Sequence, residues 1–186
     1  MLKNSILQEK NTYEIEKKHV IKALSKIDPQ KPKGTLLFNA VARVSVSVSI
    51  DAVCIRRNKW KKNIEVFLTK RSLNDSAYPG IWHVPGSILR VGEEFSDVIT
   101  RLSKDEFGGN LKILDFLGHL NNKREARGHI LVITYLCKTS GKKGTWYSVN
   151  ALPKNTLKLH KDRTIPQAVK LFKKQNKKTR VKNYLL

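Results

Sequence analysis

Cysteine is nearly absent from this chain. The two present, Cys54 and Cys137, lie in the apolar runs AVCI and TYLC, and neither belongs to a C-x-x-C pair. That excludes a disulfide framework or a thiolate zinc site and predicts two buried thiols. A reducing, cytoplasmic setting fits such usage. Long hydrophobic runs are missing too. No stretch approaches the ~20 apolar residues that span a bilayer. The first ten residues, MLKNSILQEK, lack the apolar core of a signal peptide, so none is expected. Internal repeats and low-complexity tracts are absent. Acids are scarce: 15 Asp and Glu stand against 37 Lys and Arg, a formal charge of +22. That balance favours polyanionic partners, whether nucleotides, nucleic acid or anionic lipid, and says little about fold.

What is present suits one folded domain with short extensions. The chain has 186 residues, 40% of them apolar, enough to bury a core. Residues 12–28 predict a helix. Val20, Ala23, Leu24 and Ile27 recur at helical spacing, and lysines take the other side. Asp28-Pro29 ends it, and residues 30–34 read as a linker. Residues 41–55, VARVSVSVSIDAVCI, predict a strand, because valine and serine alternate from Val44 to Ser49. Further strands are expected at Val66–Leu68, Ile113–Leu120 and Ile130–Cys137. The last is almost continuously apolar and reads as central. Arg57 to Asn63 reads as a basic turn and Tyr78-Pro79-Gly80 as a second turn. A helix is expected between Asp97 and Phe107, and another over Gln167–Lys174. The expected organisation is a helical extension over 1–33, a domain over 34–166 and a basic C-terminal helix or tail over 167–186. Strands between helices suggest a mixed sheet within helical layers, an α/β fold.

The most informative stretch is WHVPGSILRVGEEFSDVITRLSKDEFGG, residues 82–109. Five of the fifteen acids fall between Glu93 and Glu106. Helix electrostatics account for part of this. Ser96 can cap the helix, and Glu94 and Asp97 suit its positive N-terminal end. Asp105 and Glu106 stand at the opposite end, where the dipole disfavours negative charge. A hard cation would explain them, since Mg²⁺ takes oxygen ligands and shares waters and substrate phosphates. Gly108-Gly109 predicts a left-handed stop. Gly86 and Gly92 permit a tight loop before the helix.

These residues resemble the Nudix box. The family pattern runs Gly, five residues, Glu, seven residues, Arg-Glu, an aliphatic, one residue, Glu-Glu, one residue, Gly and an aliphatic. Ser87 falls on the first Gly, Glu93 on the first Glu and Arg101 on the Arg. Leu102 falls on the next Glu, Asp105 and Glu106 on the Glu pair, and Gly108 on the last Gly. Phe67–Arg71 followed by Tyr78–Gly86 looks like the lead-in that ends Gly-x-Trp-x-x-Pro-Gly. Gly144-Thr145-Trp146 with Leu152-Pro153 extends the likeness, which covers roughly residues 42–165. The resemblance implies a Nudix-type α/β/α sandwich with a mixed sheet. It also implies Mg²⁺-dependent hydrolysis of a nucleoside diphosphate joined to another group, with Mn²⁺ as the alternative ion.

The implied metal ligands are Glu106 and Asp105. The implied catalytic set adds Glu93 and Arg101, more an orienting pair than reacting groups. Substrate contacts are implied for Arg71, Trp82 and Gly86. Asp105 could instead pair with Arg101 one turn earlier.

The departures are Ser87 for Gly, Leu102 for Glu, and Ser103 and Gly109 for aliphatics. Leu102 and Glu106 are four apart, so a regular helix would put them on one face. The segment Arg101–Gly108 is similar to that of GDP-mannose hydrolases, which carry Arg-Leu here and a single metal carboxylate. In that branch the Arg71 position contacts the diphosphate. Their His base and metal-binding Gln have no counterpart in Ser140–Trp146, and Ile88 replaces a loop Arg, so GDP-mannose is not assigned. His119, Glu125, His129 and His160 are the candidate general bases. The contrasting reading is a weakly active or inactive Nudix fold that binds nucleotide or RNA. After Asp162 no acid follows, and Lys170, Lys173, Lys174, Lys177, Lys178, Arg180 and Lys182 make a tail suited to sequence-independent nucleic-acid contact.

Overall fold

In a computed structural model, residues 2–29, 31, 34–58, 60 and 62–183 are described. The chain divides into two units, Met1–Pro32 and Lys33–Leu186. The first holds one helix, α1 (Leu2–Leu24), which starts earlier than its apolar periodicity suggests. Of the expected linker, residues 30, 32 and 33 lie outside the described residues, as do 59 and 61 of the basic turn.

The second unit is built on a seven-stranded mixed sheet. Its strands are β1 (Ser47–Asn58), β2 (Asn63–Lys70), β3 (Trp82–His83), β4 (Gly86–Ile88), β5 (Leu111–Glu125), β6 (Gly128–Thr139) and β7 (Thr145–Ser148). The main path runs β3-β2-β1-β6-β5, with β4 on β1 and β7 on β2. β1 pairs β6 in parallel and β2 antiparallel. Its helices are α2 (Thr35–Ala42), α3 (Phe95–Leu102) and α4 (Ile165–Asn183). Two π turns adjoin them: Ser103–Phe107 continues α3, and His160–Thr164 leads into α4.

Alternation along β1 divides the core. Ile50, Ala52 and Cys54 pack with Val98, Leu102 and Phe107 beneath α3. Val53 and Ile55 pack with Leu136, Ile165 and Ala168 beneath α4. Helices therefore cover both faces of the sheet, the expected α/β/α arrangement. Period-2 burial on both faces makes β1 a central strand.

Residues 41–46 differ from the expected strand. The sequence TLLFNAVA forms helix α2, and the strand begins only at Ser47. Val44 and Val46, read as strand residues, are exposed. Their alternation with serine had no sheet neighbour to satisfy it. Cys54 and Cys137 are buried free thiols in register across β1 and β6. Burial pushes Cys137 up to about 12 and raises Cys54 further still, so both stay protonated.

Candidate functional site

The loop before α3 is locked to the helix by one arginine. Arg101 Nε donates to Glu93 Oε1 at 3.0 Å, and its Nη2 donates to Glu93 Oε2 at 2.8 Å. Nη2 also reaches the Ile88 carbonyl at 2.9 Å, and Nη1 donates to Ser87 Oγ. Glu93 Oε2 further accepts the Arg90 backbone N–H at 2.8 Å. The Arg101 hydrogen bonds, with help from the Arg90 N–H, hold the Glu93 carboxyl below its usual range. Glu93 and Arg101 thus form an ion pair that ties the loop to the helix. The alternative pairing of Arg101 with Asp105 is not made, because Glu93 occupies the guanidinium.

The helix start also differs. Glu94, not Ser96, is the N-cap, in a capping box with Asp97. The Glu94 N–H donates to Asp97 Oδ2 at 2.8 Å. These two acids serve the helix end, as the electrostatic reading has it.

Leu102 does not share a face with Glu106. It is 1% exposed and packs in the core beneath α3. The π turn after it closes from the Gly108 N–H to the Ser103 carbonyl, five residues back. Four residues therefore no longer complete a turn. Gly108, at φ 62°, supplies the expected left-handed stop. The extra residue directs Glu106 toward β2. Its Oε2 lies 3.5 Å from Thr69 Oγ1, which lies 3.2 Å from His83 Nε2. Burial raises the Glu106 carboxyl, only partly opposed by the Arg71 charge and the Thr69 hydroxyl. Asp105 is exposed on the next position.

A fit to Mg²⁺ is therefore a fit to one half-buried carboxylate with a second beside it. No group of three or more His, Cys, Asp or Glu arranged for a metal exists among the described residues. Such a donor set suits a cation shared with phosphates and water, and not a protein cage.

Beside this lies a cleft of about 240 Å³, lined in part by Asp51, Arg71, Tyr78, Gly86, Arg127 and His160. Of the residues implied by sequence, Arg71 and Gly86 line it and Trp82 does not. Trp82 sits 5.1 Å edge-on to Tyr147 and packs against the core beneath α4. Gly86 is needed for space: a Cβ there would overlap the Asp51 carboxylate. Arg71 lies between the two features, facing the cleft and acting electrostatically on Glu106.

The rim of the cleft is a charged clasp. Asp75 Oδ2 accepts from Arg71 Nη1 at 3.0 Å, and Asp75 Oδ1 pairs with Arg127. Oδ1 also accepts the backbone N–H groups of Tyr78 and Ala77, at 2.8 and 3.0 Å. Burial pushes the Asp75 carboxyl up, but these backbone bonds and the two arginines outweigh it and hold it well below the usual range. Tyr78 donates its hydroxyl to Glu125 Oε2 at 3.0 Å. The tip of the β5–β6 hairpin thus reaches the loop after β2.

On the cleft floor, His160 Nδ1 accepts the Val84 N–H at 2.9 Å, and Nε2 lies 3.4 Å from Asp51 Oδ2. Both nitrogens are engaged, so His160 offers no free lone pair as a base. Of the other candidate bases, Glu125 lines the cleft, His129 lies outside it paired with Asn121, and His119 is exposed. Sequence reasoning missed Asp51, Thr69, Asp75 and His83. A lone carboxylate within the apolar run of a central strand was the available signal for Asp51.

Lys170, Lys173 and Lys174 are exposed on α4. The side chains of Lys177, Lys178, Arg180 and Lys182, the rest of the expected polyanion-binding tail, lie outside the described residues. Among the described residues no helix is long and apolar enough to cross a membrane.

No family model matches this chain. Among curated proteins, it is similar to the ADP-ribose pyrophosphatase of Methanocaldococcus jannaschii, 26% identical over 118 residues. That match covers 58% of this chain and 65% of the relative's length. Among solved structures, a MutT/nudix family protein from Listeria innocua superposes with a TM-score of 0.55 at 17% identity, over 72% of this chain and 96% of that one. The NUDIX domain of Shewanella oneidensis NrtR, complexed with ADP ribose, gives a TM-score of 0.50 at 19% identity, over 82% of this chain and 97% of that one. Sheet order, helical layers and these superpositions agree that the chain has the Nudix fold.

Proposed function

We propose that this chain is a Nudix hydrolase that cleaves a nucleoside diphosphate joined to another group, with ADP-ribose as the first substrate to test. The observation that carries this reading is the lock of Arg101 on Glu93, Ser87 and Ile88. It fixes the box loop to the helix that presents Glu106, next to Arg71 at a cleft. The pyrophosphatase relative supports the substrate class.

Glu106, with Asp105 beside it, would hold Mg²⁺ or Mn²⁺. When bound, the ion would neutralise and polarise the diphosphate. Arg71 would bind a phosphate oxygen from the cleft side. Glu93 and Arg101 act through position alone. With His160 engaged, Glu125 is the one left, among the four bases read from the sequence, that lines the cleft and would activate water. The exposed lysines of α4 would add a salt-sensitive, sequence-independent contact to a polyanion.

The test is Glu106→Gln, assayed with ADP-ribose and a panel of nucleoside diphosphate derivatives, with and without Mg²⁺. An amide ligates Mg²⁺ poorly, so hydrolysis should fall roughly a hundredfold or more, while metal-free nucleotide binding stays unchanged. Equal rates in both proteins would place the metal elsewhere. Binding without hydrolysis by the wild type would make the chain a nucleotide-binding Nudix fold. Isotope-labelled water then distinguishes attack at phosphorus from attack at carbon.

A further inference from the structure

We infer that Asp51 reads the nucleoside part of the ligand, accepting hydrogen bonds on the cleft floor from ribose hydroxyls or from an exocyclic amine of the base. This rests on the diphosphate reading above. Asp51 stands on β1, between β6 and β4, and is 8% exposed. Its neighbours on the same strand face, Val53 and Ile55, are core residues. An apolar residue would fit this position at lower cost to folding, because a buried carboxylate is costly unless well paired.

Its pairing is thin. Among the described residues the carboxylate has one partner, His160 Nε2, at 3.4 Å. The Val84 N–H on Nδ1 fixes the tautomer, so the Nε2 proton faces Asp51. An ionised carboxylate offers about four acceptor sites, and this proton takes one. A small hollow of about 20 Å³ on another side, bordered by Thr134 and Arg163, has room for a water and not a ligand. The main cleft is the side with space.

The surroundings preserve that acceptor. Gly86 stands opposite Asp51 in the β1–β4 register, and any larger residue would strike the carboxylate. The cations Arg71 and Arg127 stay at the rim, tied to Asp75. Cations at the rim and an acceptor on the floor suit a nucleoside diphosphate lying with its diphosphate outward. The about 240 Å³ available fits the nucleoside portion and leaves the second group outside.

The test is calorimetric binding of ADP, 2′-deoxy-ADP and inosine diphosphate in EDTA, to the wild type and to Asp51→Asn. Losing a hydrogen bond to a charged group weakens binding roughly ten- to a hundredfold. Asp51→Asn should weaken ADP by that factor. One ligand deletion should weaken wild-type binding similarly and cost the variant less than about twofold. A loss with 2′-deoxy-ADP assigns the ribose hydroxyls, and a loss with inosine diphosphate assigns the amine. Equal ADP affinity in both proteins, or ligand penalties unchanged in the variant, overturns the assignment and leaves the diphosphate reading standing. A wild type that binds none of the three overturns both. Should the variant not fold, the wild-type penalties decide, and two absent penalties overturn the assignment.

Discussion

The two π turns make an instructive pair. Ser103–Phe107 and His160–Thr164 each adjoin an α-helix, and each carries a residue of the site, Glu106 or His160. They differ in surroundings. Glu106 stays half-exposed beside Thr69 and Arg71, whereas His160 is buried with both nitrogens engaged. The first can trade partners with a ligand. The second holds the cleft floor in place. An extra residue in a helix thus re-aims a side chain in both cases, toward the proposed metal position in one and toward the cleft floor in the other.

The strongest way to break this contrast is Leu102→Glu. If the face before the first π turn were a depleted metal site, the new carboxylate would strengthen Mn²⁺ binding. With Leu102 buried among Ile50, Phe67 and Val98, it should instead cost several kcal/mol and unfold much of the protein. Melting curves with and without Mn²⁺ decide: a folded variant with tighter metal binding refutes the core assignment.

A smaller effect is expected from Arg101→Ala. Removing the guanidinium leaves Glu93 half-buried without its partner and frees the loop from the helix. Urea denaturation should show a loss of about 3 kcal/mol, the range for breaking a largely buried pair. A loss below about 1 kcal/mol would reduce the lock to a surface ion pair.

The mildest change sharpens the buried side. Burial first, then the charge of Arg71, push His83 down to about 3 from an ordinary 6.5. Between those values the unfolded chain binds a proton that the folded chain refuses. Stability from this source is therefore present at neutral pH and lost as pH falls. Above about pH 5, where ordinary carboxylates have finished titrating, His83→Gln should flatten the stability slope up to about pH 6.5. An unchanged slope would mean that His83 is not held neutral.

Much of this was legible in the residues. Glu93, Arg101, Glu106 and Gly108 stand in a recognisable order, and the Glu93–Arg101 pair forms at that spacing. The β5 and β6 regions showed their apolar character directly. Residues 35–42 were not legible as a helix, because a short apolar segment fits either periodicity and only its neighbours arbitrate. Trp82 carried the right motif position, yet Tyr147 and the core claim its ring.

The sequence by itself determined a mixed sheet between helical layers, the buried thiols and the acidic segment with its glycine stop. Those depend on local periodicity and on spacing within one element. The tertiary structure alone decided that Leu102 enters the core, that Asp75 ties two arginines together, and that Asp51 meets His160. Those pairs are brought together by sheet register, or by a π turn that shifts helical phase by one residue. Spacing along the chain encodes neither.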